Sequence, residues 1–356
     1  MRKFNHVDGR ENVTMTGDNL VLKRRQVLQG MTASAALAAG LGGLPGRALA
    51  AEPKLGVVSF PGPSISAHSK VIIKKAGLDK KHGWELDWAI RPTSDAYYND
   101  FVTGAFESVD FGGLNVFANL FNKGVPLKVI QATCRWPWPI VARADSNIRT
   151  IADLKGKKLG VGSTSYITQT LTKAVLKEAG VDWADIEVLP IGLGPAAWKQ
   201  LQTGQVDAVN FFRSEDTRMR LAGMKIRQMF YPEKFAKIFV ASVTAHEDTI
   251  RDNPKLIERF LRATHKGWRD AKANPAASID AMVEAVPGLD RNTLLATMPQ
   301  ILDLCVTERS AKHGLGWIEP ELMQKTMDIT FASNKPEKAI AVADTFTNQF
   351  SSRIKP

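Results

Sequence analysis

Two cysteines in 356 residues exclude a disulfide-stapled scaffold and any multi-cysteine zinc or iron–sulfur site. Cys134 and Cys305 stand alone in the sequence. Metal-ligand spacing is equally scarce. His68, His82, His246, His265 and His313 form neither a His-x-His nor a His-x-x-x-His pattern. Catalytic signatures are missing as well: there is no Gly-x-Ser-x-Gly elbow, no Cys–His signature and no Gly-x-x-x-x-Gly-Lys-Ser/Thr loop. The composition, 44% hydrophobic and 23% charged, excludes wholesale disorder.

What is present begins with a net charge of +11, from 47 basic and 36 acidic residues. Part of it lies in the first 51 residues, where seven basic residues face three acidic ones. Lys23-Arg24-Arg25 precedes an apolar stretch, Val27 to Leu44, and small residues at Ala48 and Ala50 suit a cut after Ala50. Residues 1–50 therefore read as an export signal of twin-arginine type. The stretch is too short and too weakly apolar for a stable membrane span, so no membrane insertion is expected. The remaining charge is spread without an arginine–aromatic track, which argues against nucleic acid as a partner.

From residue 54 onward, short apolar runs alternate with helical stretches, the pattern of an α/β protein. Strands are expected at 55–59, 84–90, 109–111, 127–132, 140–142, 159–161, 186–189, 208–212 and 239–244. Beyond these the chain turns helical, with Asn253-Pro254 opening one helix and a last one expected over 339–350. One internal echo stands out. Phe101-Val-Thr-Gly-Ala-Phe-Glu-Ser-Val-Asp-Phe resembles Leu201-Gln-Thr-Gly-Gln-Val-Asp-Ala-Val-Asn-Phe, which implies two similar α/β units.

In open α/β sheets, ligands bind beyond the carboxyl ends of the strands. The loops there carry Phe60 and Ser64, then Gly113 and Asn115, then Arg135 and Trp136, then Ser163, Thr164 and Ser165, and finally Phe211 and Arg213. A strand followed by Gly162, three hydroxyl residues and a helix offers free amide donors to an anion. Arg135 beside Trp136 sets a cation next to a flat apolar surface, which suits an organic acid or an aromatic ring. Phe211 fits either the crevice or a core.

These residues also carry a resemblance. Ile148-Arg-Thr-Ile-Ala-Asp-Leu-Lys-Gly-Lys-Lys-Leu-Gly-Val-Gly-Ser, Leu201-Gln-Thr-Gly-Gln-Val-Asp-Ala, and Phe101-Val-Thr-Gly with Val109-Asp-Phe-Gly resemble segments of ABC-importer substrate-binding proteins. The group in question binds aliphatic sulfonates, taurine, nitrate and thiamine-pyrimidine precursors. The resemblance implies a two-lobed periplasmic binding protein fold of type II, its two α/β lobes joined by two hinge strands. Lobe one would span 52–139 and 245–356, and lobe two 140–244. It implies a soluble periplasmic monomer, without cofactor or catalysis, that hands a small organic anion to an ABC permease with a cytoplasmic ATPase. Ser163, Thr164 and Ser165 would hold the anionic head, with Phe60, Trp136 and Phe211 around the organic body. A neutral pyrimidine-type heterocycle as ligand, a periplasmic ligand sensor, and an enzyme on the same fold using His68 or Cys134 remain open alternatives.

Overall fold

The chain is described by a computed structural model covering residues 53–354, apart from 60–64, 92–93, 136–137, 164–166, 287, 306–307, 334 and 337–338. The export signal read at 1–50 lies outside the described residues.

Two five-stranded sheets organise the chain. The first part runs β1 (Lys54–Ser59), α1 (Ile65–Lys75), α2 (Leu78–Lys81), β2 (Glu85–Ile90), α3 (Ser94–Val102), β3 (Ser108–Gly113), α4 (Leu114–Asn122) and β4 (Leu127–Arg135). The second runs β5 (Ile140–Arg143), β6 (Lys158–Val161), α5 (Ile167–Glu178), β7 (Glu187–Pro190), α6 (Pro195–Gln202), β8 (Ala208–Asn210), α7 (Arg213–Leu221) and β9 (Ile226–Met229). A short helix, α8 (Glu233–Ala236), lies on the way back to β10 (Phe239–His246). The rest is helical: α9 (Glu247–Asp252), α10 (Pro254–Ala273), α11 (Pro275–Ala285), α12 (Arg291–Cys305), α13 (Glu308–His313) and α14 (Pro320–Ser333).

The sheet orders are β2-β1-β3-β10-β4 and β7-β6-β8-β5-β9. In each, three parallel strands are followed by one antiparallel strand, β10 or β5, that also pairs with the edge strand. The registers agree too. Ser59 pairs with Asp110 in sheet one, and Val161 pairs with Asn210 in sheet two. Helices α1 and α5 start at Ile65 and Ile167, each six residues past the paired strand residue. Each half thus holds its own five-stranded α/β sheet, the two-lobed arrangement that the resemblance implies.

The internal echo has a physical basis. Thr103 and Thr203 each return their hydroxyl to the carbonyl four residues back, at 2.9 Å in both cases. Gly104 and Gly204 then turn the chain out of the helix at φ 74° and 75°, a conformation that favours glycine. Each unit feeds the third strand of its own sheet, so the two echoes occupy matching places in the fold.

The sequence segment Asp153-Leu-Lys-Gly-Lys also explains itself locally. The Asp153 carboxylate accepts the Arg149 and Thr150 backbone N–H groups at 2.9 and 2.8 Å, closing a short turn of helix over Ile151–Leu154. Gly156 then adopts φ 71° and donates its N–H to the Asp185 carbonyl at 2.9 Å, which aims the chain into β6.

Apolar residues on β1 and β10 pack on one face of sheet one beneath α1 and α10, with Trp84 and Phe260 edge to face at 6.3 Å. The opposite face buries Phe101, Val109 and Phe117 under α3, α4 and α14. One face of sheet two holds Trp198, Phe211 and Met219 from α6 to α7. On its other face, Ile140, Leu171 and Val175 merge with Trp268, Met282 and Met298 of α10–α12 into one cluster. The C-terminal helices thus pack against both halves of the chain.

Three expectations change. Residues 339–350 were expected to form a helix, but only Val342–Thr345 make a helical turn; Thr347 N–H then bonds to the Val129 carbonyl at 2.9 Å, and the segment lies along β4. Helix α7 was missed because Arg213-Ser-Glu-Asp-Thr-Arg-Met-Arg-Leu is mostly polar and shows no apolar stripe. Third, β10 pairs with β3 and β4 from its first residues, so the chain re-enters the first sheet at Phe239. The return crossing between β9 and β10 therefore spans 230–238, whereas the second lobe was expected to run to 244.

Phe260 is fully buried and supports both Trp84 and the Lys70 ammonium, whose nitrogen lies 5.4 Å from its ring centre. Phe260→Ala is expected to cost about 3–5 kcal/mol by the loss of transfer energy plus a cavity. Urea denaturation measures it; a loss below about 1 kcal/mol would show that this part of the core refills.

Candidate functional site

In sheet one, the paired ends of β1 and β3 lie beside a buried pair of charges. Lys70 on α1 and Asp110 on β3 form an ion pair with both side chains at 0% exposure. The ammonium also donates to the Ser69 hydroxyl at 3.1 Å. Burial pushes the Lys70 ammonium well below the ordinary lysine range, and the carboxylate in contact with it opposes that shift. His68, two residues earlier, is also fully buried, and neither ring nitrogen has a hydrogen-bond partner. Burial, followed by the nearby Lys70 charge, lowers its pKa to about 4 against a weaker opposing pull from Asp270, so the ring is neutral. His265 on α10 is lowered further, to about 3, by burial and then by Arg269 and Arg262.

Sheet two has a neutral counterpart. Thr172 on α5 meets Asn210 Oδ1 at 3.2 Å and Tyr231 Oη at 2.6 Å. Asn210 Nδ2 donates to the Pro139 carbonyl at 3.2 Å and to Tyr231 Oη at 3.3 Å. Lys70 and Thr172 each stand eleven residues beyond the strand residue that pairs with Asp110 or Asn210. Each half therefore ties its first long helix to its third strand through a buried polar contact at the same place. The Val-Asp-Phe and Val-Asn-Phe endings of the echo carried that signal in the sequence, and neither Lys70 nor Thr172 was singled out there.

The residues expected to touch ligand divide as follows. Phe60, Ser64, Trp136, Thr164 and Ser165 lie outside the described residues. So do the side chains of Asn115, near the start of α4, and Arg135, the last residue of β4. Gly113 closes β3 and donates its N–H to the Tyr98 hydroxyl at 2.8 Å. Ser163 follows β6, and its carbonyl accepts from Gln169 Nε2 at 2.9 Å. Arg213 opens α7 with its guanidinium 5.7 Å from the ring centre of the exposed Phe230. Phe211 takes the core option: it is 1% exposed and packs with Trp198 and Met219. Its neighbour Phe212 stays partly exposed and meets Trp138 edge-on at 5.2 Å, at the junction with the first crossing.

Helices α4 and α5, which begin at the candidate loops of the first and second halves, pack against one another, and α5 also packs against α14. Helices that follow candidate loops of different sheets therefore meet. Among the described residues no helix is long and apolar enough to cross a membrane.

Comparisons with known proteins agree with this architecture. Residues 109–278 match the model of the NMT1/THI5-like family. The riboflavin-binding protein RibY of Chloroflexus aurantiacus is 24% identical over 236 residues, covering 64% of this chain and 66% of that protein. The alkanesulfonate-binding protein SsuA of Xanthomonas axonopodis pv. citri, bound to MOPS, superposes with a TM-score of 0.63 at 19% identity, over 84% of this chain and 99% of that one. The desulfurization enzyme DSZB shares the fold at a TM-score of 0.55 and 17% identity, over 83% and 97% of the two chains.

Two predictions follow from the buried charges. Lys70→Met leaves the Asp110 carboxylate buried and alone, which is expected to cost about 3–5 kcal/mol, while Lys70→Met with Asp110→Leu recovers most of the loss. A double-mutant cycle in urea tests this, and additive losses would refute it. The histidines give a pH dependence. Below about pH 6.5 the unfolded chain takes up protons that buried His68 and His265 refuse, so stability falls as pH drops, levelling off below the folded values near 4 and 3. Across that window His68 contributes roughly 3 kcal/mol and His265 roughly 5 kcal/mol. Denaturation of His265→Phe at about pH 7 and about pH 4.5 is expected to show a smaller drop than the parent protein; an unchanged drop would count against it.

Proposed function

We propose that this chain is the solute-capturing component of an ABC importer, working in the periplasm without chemistry of its own. It takes a small sulfonate- or carboxylate-like organic anion between its two lobes and presents it to a permease driven by a cytoplasmic ATPase. The observation that carries this reading is the contact between α4 and α5, each of which starts at a candidate ligand loop of its own lobe. The likeness to an alkanesulfonate-binding protein bound to MOPS supports an anionic ligand.

In this reading the backbone amides and hydroxyls of Ser163, Thr164 and Ser165 hold the anionic head at the start of α5, where the helix dipole favours negative charge. Phe60 and Trp136 surround the organic body, and Phe212 beside Trp138 replaces Phe211 in that role because it is the phenylalanine left accessible. Arg135 or Arg213 adds positive charge. A flat heterocycle is the second reading, favoured by the similarity to a riboflavin-binding protein. An enzymatic role on this fold, as in the desulfurization enzyme, needs a reactive group in the crevice. His68, held neutral and fully buried, is the described candidate.

A thermal-shift screen tests the reading with alkanesulfonates including MOPS, aromatic carboxylates, pyrimidines and riboflavin. A ligand at about 100 times its Kd adds roughly 2.7 kcal/mol, enough to raise Tm by several degrees. Stabilisation by sulfonates or carboxylates is expected. A shift with riboflavin or a pyrimidine alone moves the assignment to the heterocycle, and turnover of any bound compound refutes the binding-only role.

A further inference from the structure

The neutral tie of sheet two reaches further than its charged counterpart, because it includes both crossings between the sheets. Pro139 belongs to the first crossing and Tyr231 to the second, and both contact Asn210 at the end of β8. The direction of the hydrogen bonds can be worked out. The Thr172 hydroxyl donates to the Thr168 carbonyl at 2.6 Å. A hydroxyl has one hydrogen, and the Thr168 carbonyl is a closer acceptor than Asn210 Oδ1 at 3.2 Å, so the 2.6 Å contact with Tyr231 is made by the phenol's hydrogen and Thr172 meets Asn210 through that phenol. Asn210 Nδ2 donates in turn to Tyr231 Oη and to the Pro139 carbonyl. Donors therefore run in one sense, from Asn210 through Tyr231 and Thr172 to the backbone of the first turn of α5. Burial pushes the Tyr231 phenol up, which keeps its hydrogen in place.

At the far end of this chain sits Thr168, the second residue of α5, directly after the candidate loop 162–166. Its side chain is 1% exposed, and its hydroxyl is without a hydrogen-bond partner. A buried hydroxyl left unpaired opposes folding. The helix that carries it packs against α4 and α14 of the other half, so this hydroxyl is in the element that meets the opposing lobe.

We propose that Thr168, Thr172, Asn210 and Tyr231 form a hinge latch coupled to ligand. A polar group of the bound ligand satisfies the Thr168 hydroxyl, which fixes the first turn of α5. The hydrogen-bond chain then holds Pro139 and Tyr231, and with them both crossings, in the closed arrangement. Thr168 contacts the ligand, whereas Thr172, Asn210 and Tyr231 are positioning residues. The latch rests on the proposed reading that ligand binds at the start of α5.

The test uses the purified protein with two probes, MOPS and riboflavin, followed by titration calorimetry, with small-angle scattering of the ligand-free and probe-saturated forms. Thr168→Val is expected to weaken the bound probe about tenfold while leaving the ligand-free Tm unchanged or higher, because it removes an unpaired hydroxyl. Thr168→Ser restores affinity. Tyr231→Phe weakens binding by a similar factor, and the double variant loses little more than either single one, the mark of residues acting as a unit. Unchanged affinity in Thr168→Val and Tyr231→Phe, or losses that simply multiply, overturns the latch. Binding of neither probe by the parent protein counts against the proposed function. The latch is then decided by scattering alone: a larger radius of gyration for ligand-free Tyr231→Phe supports it, and an unchanged one overturns it.

Discussion

The contact on which the crevice depends is the tie between the first long helix and the third strand in each half of the chain. In the first half it is an ion pair, Lys70 with Asp110, both removed from water. Taking either charge out of water alone costs several kcal/mol, so each is tolerated only with the other in place. The pair therefore fixes where α1 sits over its sheet. In the second half Thr172 and Asn210, joined through the Tyr231 hydroxyl, do the same work without charge. A neutral contact is weaker, but it has spare donors and acceptors, and these recruit Tyr231 and Pro139.

That difference gives the two halves different mechanical roles. Around Lys70 the polar atoms are closed in by Phe260 and the α10 helix, whose apolar residues pack on the face of sheet one. The tie in sheet two instead opens onto the segments that join the sheets. The C-terminal helices add a second constraint. Trp268, Met282 and Met298 share one apolar cluster with Ile140 and Val175 of the second half. That shared core couples the two halves, since packed interiors transmit strain more readily than they absorb it.

Much of the fold was legible because its signals are local. Gly104 and Gly204 mark helix ends that only a left-handed residue closes well, and Asp153 marks a capped turn. The alternation of short apolar runs with helices announced two α/β units, and the echo gave the matching third strands. Residues 339–350 misled because their composition suits a helix, while pairing beside β4 decided otherwise. Helix α7 was invisible because its polar residues show no period, and packing of Met219 is what anchors it. In the candidate site, Phe211 and Phe212 are indistinguishable as letters. Their opposite fates follow from the end of β8, which turns the first into the core and leaves the second beside Trp138.

The sequence by itself determined the α/β class, the duplicated halves and the loops at the strand ends, because each rests on residue types and spacings within a few turns of chain. Only the tertiary structure decided that Lys70 faces Asp110, that Thr172, Asn210 and Tyr231 join in one network, and that the chain returns to the first sheet at Phe239. These pairings join residues 21 to 59 positions apart within the network and 40 apart in the ion pair. No local propensity encodes such partners: burial removes water as the competing partner, and the register of the strands then selects which side chains meet.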